Sequence, residues 1–377
     1  RRGDTAGLGD WTPSPQVWPE GLAPLIDHVT GLGMQFGLWV EPEMVNLDSD
    51  LARAHPEWVL GPRDRRPRQW RHQQVLDLTH PGAFAAVLAA LDDLLSRYAI
   101  SALKWDHNRD LSEAMHEGRP AVHQQTLAVY RLLDELRARH PHVEIESCAS
   151  GGGRIDLGIL ERTDRVWASD CNDALERQAI QLWTSLLLPP ELVGTHIGAP
   201  LSHTTGRTHQ LDFRAVTALF GHAGLEWDIS SLDDGTRAQL RSWVSLHREL
   251  RELLHTGHVV HADLPDDHAL LHGVVARDGS EAVYAWAVLR TGSDAVPPPV
   301  PLPGLDPDRL YAVEVEQRAG GAWAAQVRPP AWTTSAALMS GAALAAVGLP
   351  MPLAMPEHAV LLRARAQDDG TGARESS

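Results

Sequence analysis

Two acidic runs could do chemistry: Lys104-Trp105-Asp106-His107-Asn108-Arg109 and Trp167-Ala168-Ser169-Asp170-Cys171-Asn172-Asp173. Each closes an apolar segment that reads as a strand, so each sets an aspartate at a strand end beside tryptophan, the first also between Lys104 and Arg109. Two such carboxylates suit glycosidic bond cleavage, in which one attacks the anomeric carbon and the other protonates the leaving oxygen. The plainer reading of a strand-end aspartate is a cap for the next helix. Asp173, directly before a helical stretch that opens at Ala174, fits that reading better. Between the two runs lies Glu146-Ser147-Cys148-Ala149-Ser150-Gly151-Gly152-Gly153-Arg154-Ile155-Asp156. Its three glycines carry no Cβ, so backbone can approach a ligand closely there. The run has neither a GK[ST] ending nor a GxGxxG pattern, which makes a phosphate cradle a weak match and a sugar-contacting turn a better one. Glu41-Pro42-Glu43, after Leu38-Trp39, adds two carboxylates beside an aromatic platform, although Trp39 alone reads equally well as barrel filling.

The elements that must position these residues alternate in type. Strand candidates are Gln35–Val40, Ala102–Trp105, Val143–Ser147, Arg165–Ser169, Leu192–Ile197 and Leu225–Ile229. All are short and apolar on both faces, as strands buried in a parallel sheet are. Amphipathic stretches Ala83–Tyr98, Val122–His140, Ala174–Leu188, Leu211–His222 and Asp233–His255 read as helices, with Pro81 as a start signal and Gly31, Gly33, Pro141 and Gly224 near their ends. This βα alternation predicts an α/β fold with a parallel sheet. Glu41, Glu43, Asp106, Asn108, Cys148, Trp167, Asp170, His196 and Asp228 all fall at the C-terminal ends of strands. Chemistry spread over many strand ends predicts a (β/α)8 TIM barrel, whereas a doubly wound sheet gathers it at one switch point behind a glycine-rich first turn. From about Val259 the texture changes to short alternating segments such as Ala282–Val288 and Tyr311–Glu316, broken by Pro297–Pro303, which predicts a C-terminal antiparallel β-sandwich domain. The expected domains are residues 1–256, residues 257–366 and a disordered polar tail, 367–377.

Composition narrows the partners. The formal net charge of −16 argues against nucleic acid and anionic membrane surfaces, which reward Lys and Arg. No apolar run is long enough to span a bilayer. The only cysteines, Cys148 and Cys171, exclude a disulfide framework, and such sparse use fits a cytoplasmic protein. Of the 20 histidines, His196, His203 and His209 invite a metal reading, but their spacing matches no familiar ligand pattern. Neither metal nor cofactor is expected.

Further runs carry a family resemblance. Gly9-Asp10-Trp11, Pro19-Glu20-Gly21-Leu22, and Gly33-Met34-Gln35-Phe36-Gly37-Leu38-Trp39-Val40-Glu41-Pro42-Glu43-Met44-Val45 resemble the bacterial α-galactosidases of glycoside hydrolase family 36, the melibiase-like enzymes. So do His55-Pro56-Glu57-Trp58, Val75-Leu76-Asp77-Leu78, Lys104-Trp105-Asp106, the Glu146–Arg154 run and Gly224-Leu225-Glu226-Trp227-Asp228, in the same order to about residue 256. The resemblance implies a retaining exo-α-galactosidase that hydrolyses terminal non-reducing α-D-galactosides such as melibiose and raffinose. It implies Asp106 as nucleophile and Asp170 as acid/base, with carboxyl groups about 5 to 5.5 Å apart. It sets Trp39, Arg71, Lys104, Asn108, Cys148, Gly151 and Trp167 around the galactosyl ring. Lys104, two residues before Asp106, is expected on the same face, where it can hold Asp106 ionised. Asp170 is expected to be partly buried against Trp167.

Two departures touch this pattern: His107 stands where methionine is common, and Cys171-Asn172 stand where the family has Asp or Asn followed by Thr. With six strand candidates against the barrel's eight, two strands and a β-sandwich are expected before Arg1, leaving this chain inactive and marginally folded alone. The competing readings are an α-N-acetylgalactosaminidase of the same fold and a non-catalytic fragment. A homo-oligomer is the one protein partner expected.

Overall fold

A computed structural model describes residues 3–295, 297–319, 326 and 328–367. They form two compact units that divide between Asp170 and Cys171.

In the first unit, helix α1 (Ala23–Gly31) precedes β1 (Gly37–Val40), α2 (Pro81–Arg97) precedes β2 (Ala102–Trp105), and α3 (Val122–Arg139) precedes β3 (Glu144–Ser147) and β4 (Arg165–Trp167). The strands lie side by side in chain order and run parallel. Pro81 starts α2 at a position where a missing N–H costs nothing, and His80 accepts the Gly82 N–H ahead of the first turn. Phe84, Val87, Leu88, Leu91, Leu94 and Leu95 then recur at helical spacing and are all buried. They join Leu132, Leu133 and Leu136 of α3 and Val40, Leu103 and Ile145 of the strands in one core. Each such side chain contributes about 1.5–3 kcal/mol by leaving water. That core fixes the sheet whose upper ends carry the two acidic runs.

The second unit opens with α4 (Ala174–Ser185), capped by Asp173, whose carboxylate accepts the Leu175 and Glu176 N–H groups. The cap reading of Asp173 therefore holds. Parallel strands β5 (Val193–Gly198) and β6 (His222–Glu226) flank α5 (Leu211–Ala218), and the long helix α6 (Asp234–Thr256) follows. The remainder is an antiparallel sheet of β7 (His258–His261), β8 (Ala269–Val275), β9 (Glu281–Val288), β10 (Leu310–Val315), β11 (Ala337–Ser340) and β12 (His358–Ala366). Their order across the sheet is β7-β8-β9-β12-β10-β11. Alternate residues of β9 serve two cores. Val283, Ala285 and Ala287 pack with Leu240, Trp243 and Leu246 of α6, while Tyr284, Trp286 and Val288 pack with Val300, Leu302 and Trp332. A parallel βα array followed by an antiparallel C-terminal sheet is the expected fold class.

The last parallel strand differs from expectation. It covers His222–Glu226 rather than Leu225–Ile229, and α5 stops at Ala218 rather than His222. Gly224 reads in the sequence as lying near a helix end, and Gly221 draws no reading. Both are close-packing positions, since a Cβ on Gly221 would stand 2.5 Å from the Val193 carbonyl oxygen and one on Gly224 would stand 2.8 Å from the His196 ring. The tail expected to be disordered lies, after Gln367, outside the described residues.

Candidate active site

The register of the first unit lines up one row of side chains: Trp39 pairs with Lys104, Lys104 with Glu146, and Glu146 with Arg165. Residues paired across neighbouring strands project to the same face. The Lys104 ammonium meets the Glu146 carboxylate at 3.1 Å, Arg165 Nε donates to the same carboxylate at 3.1 Å, and Lys104 Nζ lies 4.5 Å from the centre of the Trp167 ring. Glu146 was not foreseen as part of the site. Its role becomes legible only once the register is known.

Asp106 stands two residues beyond Lys104 and is only 7% exposed. Its Oδ2 accepts the Trp39 indole N–H at 3.0 Å and the Asn108 side-chain amide at 2.6 Å, and its Oδ1 accepts the His107 backbone N–H at 2.8 Å. The Cys148 thiol donates to it as well. Burial pushes the Asp106 carboxyl up, but these hydrogen bonds, led by those of Asn108 and Trp39, outweigh it and hold the group below the usual aspartate range. The largest opposing effects thus come from neutral donors. The sequence assigned that task to Lys104, whose ammonium pairs with Glu146 instead. Burial, followed by the negative charge of Asp106, pushes the Cys148 thiol up to about 12, so it serves as a donor and not as a thiolate.

A buried polar lattice supports Asp106 from below. Asn108, 6% exposed, donates its backbone N–H to Glu41 Oε1 at 3.0 Å, while its side-chain oxygen accepts Arg71 Nη1 at 3.1 Å and Ser150 Oγ at 3.3 Å. Gln73 Nε2 donates to the other Glu41 oxygen at 3.1 Å. Glu43 Oε1 accepts both Trp105 Nε1 at 2.9 Å and Arg154 Nη1 at 2.6 Å. Burial pushes the Glu43 carboxyl up, yet Arg154 and the other donors bring it below its ordinary value. Burial also lowers His107, so its ring stays neutral beside Asp106. Trp39, read from sequence as a platform or as filling, acts here through its N–H. Gln73 escaped notice because a lone amide carries no sequence signal.

The second carboxylate is arranged differently. Asp170 is exposed rather than partly buried, and its Oδ1 accepts the indole N–H of buried Trp167 at 3.0 Å. A three-residue rise past the strand end carries it out to solvent while the Trp167 ring stays inside. The glycine turn packs directly against it: a Cβ on Gly151 would stand 2.7 Å from the Asp170 nitrogen, and one on Gly152 would stand 2.3 Å from the Ala168 carbonyl oxygen. Gly151 also has a φ of 81°, which other residues rarely adopt. The close approach these glycines permit is therefore to the protein's own Asp170 segment. The structure thus brings Trp39, Arg71, Lys104, Asn108, Cys148, Gly151 and Trp167 together with Asp106 and Asp170 in one connected set. The histidines considered for a metal have separate engagements, His196 with Glu226 and His209 with Asp173 and Glu357.

Comparison with known proteins places the chain in a family. The melibiase family model matches residues 1–257, and the model for the glycosyl hydrolase family 36 C-terminal domain matches residues 271–368. An alpha-galactosidase of Escherichia coli is 45% identical over 367 residues, covering 96% of this chain and 52% of its own length. Alpha-galactosidase C of Emericella nidulans is 39% identical over 332 residues, covering 85% of this chain and 44% of its own length. A GH36 alpha-galactosidase of Geobacillus stearothermophilus, solved in complex with raffinose, superposes with a TM-score of 0.88 at 30% identity, over 97% of this chain and 49% of that one. The chain spans about half the length of the curated relatives it matches. Asp106 with its Asn–Trp–Cys donor shell and Asp170 with its glycine turn both lie within the segment matched by the family model, and on that match the chain belongs to the melibiase family.

Proposed function

We propose that this chain carries the catalytic centre of a retaining exo-α-galactosidase acting on terminal non-reducing α-D-galactosides of the melibiose and raffinose type. The observation that carries the reading is the state of Asp106: a buried carboxylate, held ionised by neutral donors, opposite in character to the exposed Asp170 beyond the glycine turn. The crystallised relative that binds raffinose supports the substrate class.

In this mechanism Asp106 attacks the anomeric carbon and forms a covalent β-galactosyl ester while Asp170 protonates the departing glycosidic oxygen. Asp170 then takes a proton from the water that hydrolyses the ester, and the second displacement restores the α-configuration. The two carboxyl groups come to about 5 to 5.5 Å apart with substrate bound. Lys104, Arg71, Trp167 and Gly151 hold the galactosyl ring, and Asn108, Trp39 and Cys148 orient Asp106 toward it. No cofactor enters the scheme. Its domain plan is a barrel domain over residues 1–256 and a β-sandwich over residues 257–366. Among the described residues no helix is long and apolar enough to cross a membrane. The sparse cysteines support a cytoplasmic setting, with self-association into a homo-oligomer as the protein contact. Hydrolysis of melibiose and raffinose by the protein extended upstream to the length of its curated relatives, followed by NMR, tests the reading. Galactose released first as the α-anomer is the expected result, and first release of the β-anomer overturns the mechanism.

A further inference from the structure

Trp70 is 62% exposed, one residue from the Arg71 guanidinium that reaches the Asp106 shell. It belongs to a tight hairpin turn, Trp70-Arg71-His72-Gln73, in which the Gln73 N–H donates to the Trp70 carbonyl at 2.9 Å and the Trp70 N–H donates back to the Gln73 carbonyl at 3.4 Å. Arg71 and His72 have φ of 49° and 61°. Positive φ at both central residues is the shape usually given to Asn-Gly, and bulky residues adopt it only where their surroundings impose it. Here three contacts impose it. Arg71 is held by Asn108, the His72 carbonyl accepts Asn46 Nδ2 at 2.7 Å, and the Gln73 carbonyl accepts Arg109 Nη1 at 2.8 Å.

This turn also fixes where Trp70 faces. Residues 70 and 73 stand directly opposite each other, and such pairs send their side chains to the same face. The Gln73 side chain runs to Glu41, the carboxylate that also anchors Asn108. Trp70 therefore shares the face of the turn from which Gln73 reaches Glu41, and it is uncovered there. A rigid indole beside a polar pocket offers a flat apolar surface to the C–H face of a sugar, while its rim stays wet.

Resting on the galactosidase reading above, we propose that Trp70 is a specificity-determining wall of the leaving-group subsite. It stacks on the sugar unit next to the galactosyl residue and so favours oligosaccharide α-galactosides over substrates with no second ring. The test compares the parent protein, extended upstream to the length of its curated relatives, with its Trp70→Ala and Trp70→Phe variants on raffinose and on α-galactosyl fluoride, whose leaving group has no ring to stack. Trp70→Ala is expected to lose about tenfold in kcat/KM for raffinose, mainly through KM. Trp70→Phe should recover most of that loss, and turnover of the fluoride should be unchanged. Equal losses on both substrates would mean that Trp70 merely props the Arg71 turn, and no loss on raffinose would mean that it touches no sugar. A change in mass by light scattering for Trp70→Ala would assign the indole to a contact between copies. Each of these three outcomes overturns the proposal. A parent protein inert toward both substrates contradicts the galactosidase reading itself, and the proposal falls with it.

Discussion

Gly151 packs so tightly on the backbone of Asp170 that a Cβ there would stand 2.7 Å from its nitrogen. The turn that follows β3 is thereby a direct support for the carboxylate that follows β4. Gly151→Ala should therefore move Asp170 rather than merely crowd a ligand. The neighbouring atoms are backbone and cannot swing aside, and a φ of 81° adds strain of about 1–3 kcal/mol. Thermal unfolding should fall accordingly, and kcat should drop by more than KM rises. A variant with parent-like kcat would show that this packing does not position Asp170.

Asn108→Ala removes the first of the neutral donors that hold Asp106 below the usual aspartate range. A hydrogen bond to a charged group favours the ionised form, so without it the Asp106 carboxyl should rise toward the usual aspartate range. The ionised form is the reactive one, and activity is lost as pH falls through this ionisation. The acidic limb of kcat/KM should therefore shift toward higher pH in the variant. A limb that stays in place while the rate falls uniformly would assign Asn108 to substrate contact alone.

The sequence made the two acidic runs and their strand-end placement legible, because apolar segments alternating with helical ones leave few other arrangements. It also identified Asp173 as a helix cap. It could not reveal pairwise facts that depend on register. Lys104 looked like the partner of Asp106 by spacing along one strand, but its neighbour on the next strand is Glu146, and opposite charge took it. Gly224 looked like a helix end because glycine breaks helices as readily as it relieves close packing, and only the His196 ring beside it separates the two. Asp170 was expected to be partly buried against Trp167, yet it is exposed. The three-residue rise between them, with the indole N–H reaching outward to the carboxylate, has no signature in residue order.

Asp170→Ala should divide substrates by their leaving groups. General-acid assistance matters most when the departing oxygen is a poor leaving group. Raffinose hydrolysis should fall by about 10²–10⁴-fold, while an activated aryl α-galactoside should lose far less in its first step. Steady-state rates on both, with burst amplitudes on the aryl substrate, check this. Equal losses on the two substrates would contradict the acid/base assignment.

The central claim is that the Asp106 carboxylate forms the covalent bond to the sugar. A 5-fluoro-α-galactosyl fluoride traps such an ester, because the ring fluorine slows both steps while the good anomeric fluoride leaving group, expelled as the ester forms, keeps formation ahead of hydrolysis. Intact mass followed by peptide mapping of the inactivated protein should locate a single fluorogalactosyl group on Asp106, within the run Lys104–Arg109. Asp106→Ala should take up none, yet should turn over activated galactosides to β-galactosyl azide when azide is supplied. A label on Asp170 or on any other carboxylate, with Asp106 unmodified, would contradict the account.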